Sequence, residues 1–255
     1  MNYRFFVILA VAAMALNAQS AIPGLCPTGY GAYAGGCGAL LSPGSPDGNY
    51  TYSYVNPTTS DPVTGSAALL TNLLPVEPGD NPVPWYTSPG SDWISTTDSI
   101  SPIPFLPSKA DSDVIVDYSI TFNLTDFNLN AVVISGAWTA DDVGLGLILN
   151  GVSLAGNPVS EGGALPYSED YASTPDEPFS YIYSFTLSSS TPGVVFNAGI
   201  NTLVFSVDQA DNYYDGLLVS SLSGTGIDPP PTPEPGSIFL IAAGLGMLAL
   251  RRRRA

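Results

Sequence analysis

The stretch that decides the fold is residues 113–124, DVIVDYSITFNL. Its apolar and aromatic residues recur at every second position, whereas an amphipathic helix would repeat them every three to four residues. In an extended chain, alternate side chains lie on the same side. The stretch therefore predicts a long β-strand with one buried face. That face carries Val114, Val116, Tyr118, Ile120 and Phe122.

Weaker alternation on both sides of this stretch predicts more strands, and no segment of the body shows the period and caps of a helix. Asn150-Gly151, directly after Leu149, is typical of a two-residue hairpin turn. Short strands separated by turns and long loops predict an all-β fold, a β-sandwich or jelly roll. The predicted strands are residues 50–55, 131–138, 144–149, 179–187, 201–207 and 216–222.

Composition divides the chain around this domain. A Gly/Pro-rich segment at 21–49 precedes a predicted sandwich domain at 50–226. Within that domain, residues 56–112 hold many prolines and little alternation, and residues 156–178 form an acidic insertion. Proline cannot donate to a β-ladder, so we predict irregular loops at both places.

The charge pattern excludes several functions. The chain has 22 acidic and 6 basic residues and no histidine, and Lys109 is its only basic residue between Arg4 and the C-terminal arginines. Such a body cannot neutralise phosphates, which excludes nucleic-acid binding. The lack of histidine removes the commonest general base. No spacing among the acids selects a carboxylate pair for glycoside hydrolysis. We therefore expect no enzymatic activity.

The two cysteines, Cys26 and Cys37, are close in sequence. In an oxidising compartment they are expected to close a small loop as a disulfide. The alternative is a redox or metal-binding pair, but the chain has neither a Cys-x-x-Cys spacing nor a histidine partner.

The N-terminus, residues 1–20, has the features of a secretory signal peptide. Arg4 precedes an apolar stretch at 5–16, and Ala18 and Ser20 are the small residues of a cleavage site. We therefore predict export through the Sec translocon and cleavage by signal peptidase after Ser20. The alternative is an N-terminal membrane anchor, although the apolar stretch is short for one.

The C-terminus predicts a short transmembrane helix. A proline-rich linker at 227–235 leads into an uncharged run at 236–250, which Arg251, Arg252, Arg253 and Arg254 follow. Fifteen helical residues span about 22 Å, less than the roughly 30 Å of a bilayer core. The arginines are expected to stay cytoplasmic, which leaves the preceding chain on the other side of the membrane.

This tail resembles the PEP-CTERM sorting signal: Pro233-Glu234-Pro235, then a small-residue membrane segment, then a terminal arginine cluster. In that family the tail is recognised by an exosortase, a membrane cysteine protease of Gram-negative bacteria that make extracellular polysaccharide. The resemblance implies that this chain is an exosortase substrate and that the triplet is the recognition motif. A permanent C-terminal anchor on a proline stalk is the alternative.

The body resembles a domain of PEP-CTERM proteins whose fold is a galactose-binding-like jelly roll. The acidic insertion at 156–178 departs from that pattern, where related domains have a short loop. The matching pieces are Trp93-Ile94, residues 118–126, residues 135–142 (SGAWTADD), Leu149-Asn150-Gly151, residues 198–203 (AGINTL) and residues 216–219 (GLLV).

Two acidic loops form a candidate calcium site, because calcium prefers oxygen ligands from loops. Jelly rolls of the type that the body resembles often carry a structural calcium, although acidic turns also occur without one. The second loop does not follow the EF-hand pattern. The candidate ligands are Asp141 and Asp142 in one loop and Asp208, Asp211 and Asp215 in the other.

Paired aromatic residues in loops form a candidate carbohydrate site. Tyr213 and Tyr214 are flanked by acids and an amide, and Trp85-Tyr86 lies in the proline-rich stretch. Exposed rings there would stack on sugars, whereas buried rings would only anchor the loops to the core. The sequence as a whole predicts an exported, exosortase-processed, non-catalytic surface or extracellular-matrix protein, membrane-anchored before processing. The alternative is a carbohydrate-binding, lectin-like module that binds extracellular polysaccharide and so retains the protein in it.

Overall fold

The computed structural model describes residues 19–33, 36–56, 59–69, 86–96, 114–141, 143–154, 182–209 and 216–227. The predicted signal peptide, apart from its last two residues, lies outside these ranges, and so do the tail and the acidic insertion. Within the described ranges, no helix is long and apolar enough to cross a membrane.

The described residues are almost entirely β-structure, which confirms the predicted class; the helical exception among them is one 3-10 turn at Leu129–Ala131. The strands are β1 (Gln19–Ala21), β2 (Tyr30–Tyr33), β3 (Gly36–Leu40), β4 (Pro46–Val55), β5 (Pro62–Leu69), β6 (Ile94–Ser95), β7 (Val114–Asn123), β8 (Val133–Asp141), β9 (Val143–Leu149), β10 (Val152–Ser153), β11 (Tyr183–Ser188), β12 (Ile200–Gln209) and β13 (Gly216–Ile227).

The strands form one continuous antiparallel sheet in the order β10-β9-β12-β7-β4-β5-β6-β13-β8-β11, and β1 adds to β13. β2 and β3 pair as a separate hairpin. The short strand β6 joins the two halves of the sheet, because Ile94 pairs with both Leu69 of β5 and Leu217 of β13. The sheet therefore folds over at β6.

The core lies between the two halves, where aromatic rings from different strands meet around Phe205 of β12. The centroid of its ring is 5.5 Å from that of Trp138 on β8 and 6.0 Å from that of Phe185 on β11. The five residues predicted for the buried face of β7 are all at most 2% exposed. This packing is that of an all-β sandwich.

The turn between β9 and β10 has the conformation that its sequence predicts. Asn150 has a φ of 52° and Gly151 a φ of 81°. Two successive positive φ values define a type I′ turn, whose twist matches that of the flanking strands.

The stretch 56–112 contains more regular structure than we predicted. β5 pairs with β4 along most of its length, and β6 pairs with β5 and β13. The prediction of irregular loops was therefore wrong for these residues. β5 reads PVTGSAAL, whose Gly and Ala residues have low strand propensity, so its pairing with β4 makes it a strand.

The N-terminal segment is part of the same sheet and not a separate extension. β1 pairs with β13, Ile22 and Leu25 are buried in the core, and the backbone N–H of Thr28 donates to Val219. β4 begins at Pro46, ahead of the predicted boundary at residue 50. The segment thus covers the edge of β13 that faces away from β8.

The two ends of the described chain meet at one end of the sandwich. Gln19 and Ile227 are register partners. The backbone N–H of Asn128 donates to the carbonyl of Ile227 at 2.9 Å, and that of Leu124 donates to Gly199 at 2.8 Å. We call this region the terminal end: loops 124–132, 150–151 and 188–199, together with Gln19 and Ile227. The far end is the opposite one, with the turn at 56–61 and the last residues of β8 and β12.

Candidate functional site

A depression of about 420 Å³ lies on the outer face of the sheet over β4, β5 and β7. Five of its seven lining residues are Ser or Thr, and Tyr52 is the one aromatic residue among them. The lining residues are Thr51, Tyr52, Ser53, Thr64, Gly65, Ser66 and Ser119.

Strand register brings these hydroxyls together. Thr51 of β4 pairs with Ser66 of β5 on one side and with Ser119 of β7 on the other. Paired residues lie on the same face with Cβ atoms about 5 Å apart. The consecutive strands β4 and β5 and the sequence-distant β7 thus form one hydroxyl-bearing surface.

A carboxylate borders this surface. Asp117, two residues before Ser119, pairs with Ser53 of β4 and with Ser206 of β12. The hydroxyl of Ser206 donates to Oδ1 of Asp117 at 2.7 Å. A ligand at this surface would meet neutral donors and acceptors with one carboxylate beside them, which suits a polyol such as a sugar.

Gly65 makes room for an aromatic ring on the core-facing side of the sheet, opposite the depression. A Cβ atom at this position would lie 2.6 Å from the ring of Tyr52, its partner on β4. The glycine therefore lets the tyrosine ring lie flat across β5.

The structure describes only one of the four aromatic residues predicted for sugar contact. Tyr86 is half-buried, and its carbonyl accepts a hydrogen bond from the indole N–H of Trp93 at 2.8 Å. Trp93 itself is 1% exposed. Trp85, Tyr213 and Tyr214 lie outside the described residues.

The candidate calcium ligands are described in part. Asp141 ends β8 opposite Gly216, and Asp208 of β12 pairs with Val143. The register therefore places both carboxylates at the far end. Asp142, Asp211 and Asp215 lie outside the described ranges, within which no three acidic, cysteine or histidine side chains cluster as a metal site.

Asp47 is a buried carboxylate that the sequence analysis did not single out. Its two oxygens accept the N–H of Gly29 at 2.8 Å and that of Asn49 at 2.9 Å. Burial raises the pKa of this carboxyl, and these hydrogen bonds oppose the rise. The neighbouring phenol of Tyr50 donates to the carbonyl of Cys26 at 2.8 Å, and burial and the charge of Asp47 raise its pKa well above the usual value.

Cys26 and Cys37 are joined by a disulfide, with their Cα atoms 5.4 Å apart. The bond ties the β2–β3 hairpin to the segment that hydrogen-bonds to β4 through Asp47 and Tyr50. Together they fasten the N-terminal segment to the sandwich, which is a structural role.

The fold and its surface define an all-β sandwich with a hydroxyl-lined depression. Residues 231–254, at the end of the same chain, match the family described as the PEP-CTERM protein-sorting motif. The match includes Pro233, Glu234, Pro235 and the four arginines, all outside the described residues. Comparison with curated proteins and with solved structures finds no match for the chain.

Proposed function

We propose that this chain is an exported, exosortase-processed protein of the cell surface or extracellular matrix and that its sandwich is not catalytic. The observation that carries the proposal is the sorting motif at residues 231–254, which implies an exosortase-targeted surface protein. The order of triplet, apolar run and arginines supports a membrane-anchored precursor whose body lies outside the cytoplasm.

The sandwich is consistent with a structural role in that compartment. The chain has no histidine, and both cysteines are in the disulfide. A disulfide that fastens the N-terminal segment suits an oxidising environment. The galactose-binding-like jelly roll is our proposal for the family of the fold.

Mass measurement of the mature protein tests the processing. We expect the mature product to begin at Ala21 and to lack residues 236–255. When the exosortase gene is deleted, residues 236–255 should remain on the product, while the N-terminus should still begin at Ala21. Glu234→Gln should block C-terminal cleavage, while Asp228→Asn in the same linker should not. A mature protein that keeps residues 236–255 would establish the permanent anchor instead.

Carbohydrate binding is the second candidate, and the hydroxyl-lined depression favours it. Backbone pairing fixes its Ser and Thr side chains in place, which lowers the entropy that binding a sugar would cost. Electrophoresis of the processed protein through gels cast with polysaccharides tests this function. Unchanged migration of the protein in gels containing a broad panel of polysaccharides would rule out carbohydrate binding.

We further propose a structural calcium ion at the far end, held by Asp141 and Asp208 with Asp142, Asp211 and Asp215. Two of these carboxylates share that end through strand register. Such an ion would join the ends of β8 and β12 to the segment that leads into β13.

A further inference from the structure

The terminal end and the strand residues directly next to its loops, Val152 of β10 and Ile200 of β12, carry exposed aliphatic side chains. Val195 and Ile200 are each 64% exposed, and Val152 is 45% exposed. We call these three residues the apolar patch. Isolated exposed aliphatic residues are common on soluble proteins. The patch therefore indicates a binding surface only if its position in the fold supports one.

Hydrogen bonds hold the loops that bear this patch in one arrangement. The Asn150 amide donates to the carbonyl of Val195 at 3.0 Å and to Oδ1 of Asn201 at 2.8 Å. The Asn201 amide donates to Asn197 and Gly199, both at 2.9 Å. The patch is therefore a fixed surface whose shape does not depend on a ligand.

Among the residues that the structure describes, the terminal end is almost free of charge, although the protein as a whole is strongly acidic. Loops 124–132, 150–151 and 188–199 contain one charged residue, Asp126. The far end carries Asp61 in its turn and Asp208 near the end of β12, and the buried Asp141 ends β8 there. Anionic lipids repel acidic surfaces, so the terminal end is the face that approaches such a membrane at least cost.

The chain leaves the sandwich at this same end, close to its membrane segment. Eight residues separate Ile227 from Gly236, where the uncharged run begins. At 3.3–3.6 Å per residue their reach is about 30 Å at most. A tether this short keeps the terminal end at a high effective concentration next to the bilayer, so even weak contacts are populated.

We infer that the terminal end rests on the membrane surface while the tail is in place, with Val152, Val195 and Ile200 in the lipid headgroup layer. The inference rests on the proposed function, because it needs the membrane-anchored precursor. The partner that contacts the apolar patch is the lipid bilayer. Cleavage of the tail releases the body, because the patch alone is too small to hold it.

Single cysteines carrying an environment-sensitive fluorophore test this placement. Both native cysteines are in the disulfide, so each introduced cysteine is the only thiol. The labelled variants are Val195→Cys and Ile200→Cys, with Val55→Cys and Ile115→Cys as controls. Val55 and Ile115 are 61% and 50% exposed on strand ends at the far end.

The labelled full chain is mixed with vesicles of phosphatidylethanolamine and phosphatidylglycerol in equal parts, with a quencher attached to the lipid chains. Quenching several-fold stronger at residues 195 and 200 than at 55 and 115 is the expected result. Some chains will bind the vesicles and float with them on a density gradient. If these chains show equal quenching at both ends, or no quenching at residues 195 and 200, the placement of the terminal end is wrong while the membrane anchor stands. Chains that do not float overturn the membrane anchor and the placement together.

Discussion

The ring centroid of Phe205 lies 5.5 Å from that of Trp138, and this contact joins β12 in one half of the sheet to β8 in the other. Phe205 also contacts Tyr50 and Phe185. One side chain therefore contacts aromatic rings from three other strands.

Phe205→Ala should destabilise the fold by about 3–5 kcal/mol, because it leaves a large cavity among rings that cannot collapse. Val204→Ala, on the outer face of the same strand, is the control and should cost about 1 kcal/mol or less. Denaturant unfolding measures both changes. Equal costs would show that the two halves are not joined through Phe205.

Asp47→Asn should lower stability at neutral pH by about 1–3 kcal/mol, because an amide cannot replace both accepting oxygens. The change also removes a pH dependence. The folded carboxyl binds its proton more tightly than the unfolded one, whose pKa is about 3.8. Through the window from 3.8 up to the raised value, the free energy of unfolding therefore falls as pH rises.

Unfolding measured across this window should show the difference between wild type and Asp47→Asn growing toward acidic pH. Asn49→Ala keeps the carboxyl but removes the side-chain amide that donates to its Oδ1 at 3.2 Å and lowers its pKa, so the pH dependence should remain and extend to higher pH. A difference that is constant with pH would contradict the assignment to Asp47.

Replacing Cys26 and Cys37 together by serine should cost roughly 3 kcal/mol, as expected for a loop of this length. Because the disulfide fastens the β2–β3 hairpin, hydrogen exchange should accelerate there far more than in β7. Uniform acceleration throughout the sheet would show that the N-terminal segment is needed for the whole fold.

Ser119→Arg should abolish any retardation by polysaccharide, because the long side chain would fill the depression. Thr121→Arg adds the same charge to the same face of β7, two residues away and outside the lining. It should bind like wild type. If both variants lose binding, charge and not shape is responsible, and the site lies elsewhere.

Calcium at a hundred times its dissociation constant should stabilise the protein by about 2.7 kcal/mol, seen as a rise in melting temperature. Asp141→Asn and Asp211→Asn should remove the rise, while Asp61→Asn, in the turn between β4 and β5, should leave it. A rise that survives Asp141→Asn and Asp211→Asn places the ion at other residues.

Local patterns predicted much of the fold. β7 follows from its alternation, and the Asn150–Gly151 turn follows from the ability of both residues to adopt positive φ. β5 could not be found this way, because Ala67 and Gly65 contribute little strand preference of their own. Its identity depends on β4, and the pairing is visible only in three dimensions.

The hydroxyl-lined depression was equally hidden from the sequence. Thr51, Thr64 and Ser119 lie in three separate stretches, and Ser and Thr are ordinary residues on the outer face of a strand. Asp47 had no local signal either, since a single acid in a Gly/Pro-rich stretch is typical of a turn. The sorting motif, in contrast, is contiguous and could be identified directly.

The pairing of β1 with β13 sets the order of events during export. A chain that crosses the membrane from its N-terminus presents residue 19 first, but its strand partner arrives last. The sheet therefore stays open at this edge until translocation is nearly complete, and folding waits for contacts that are very distant in sequence. In the uncleaved chain Ser20 pairs with Gly226, and cleavage after Ser20 removes Gln19 and Ser20 from β1. A signal peptidase that cuts after Ser20 must act before the sheet closes, while its substrate is still an unpaired strand.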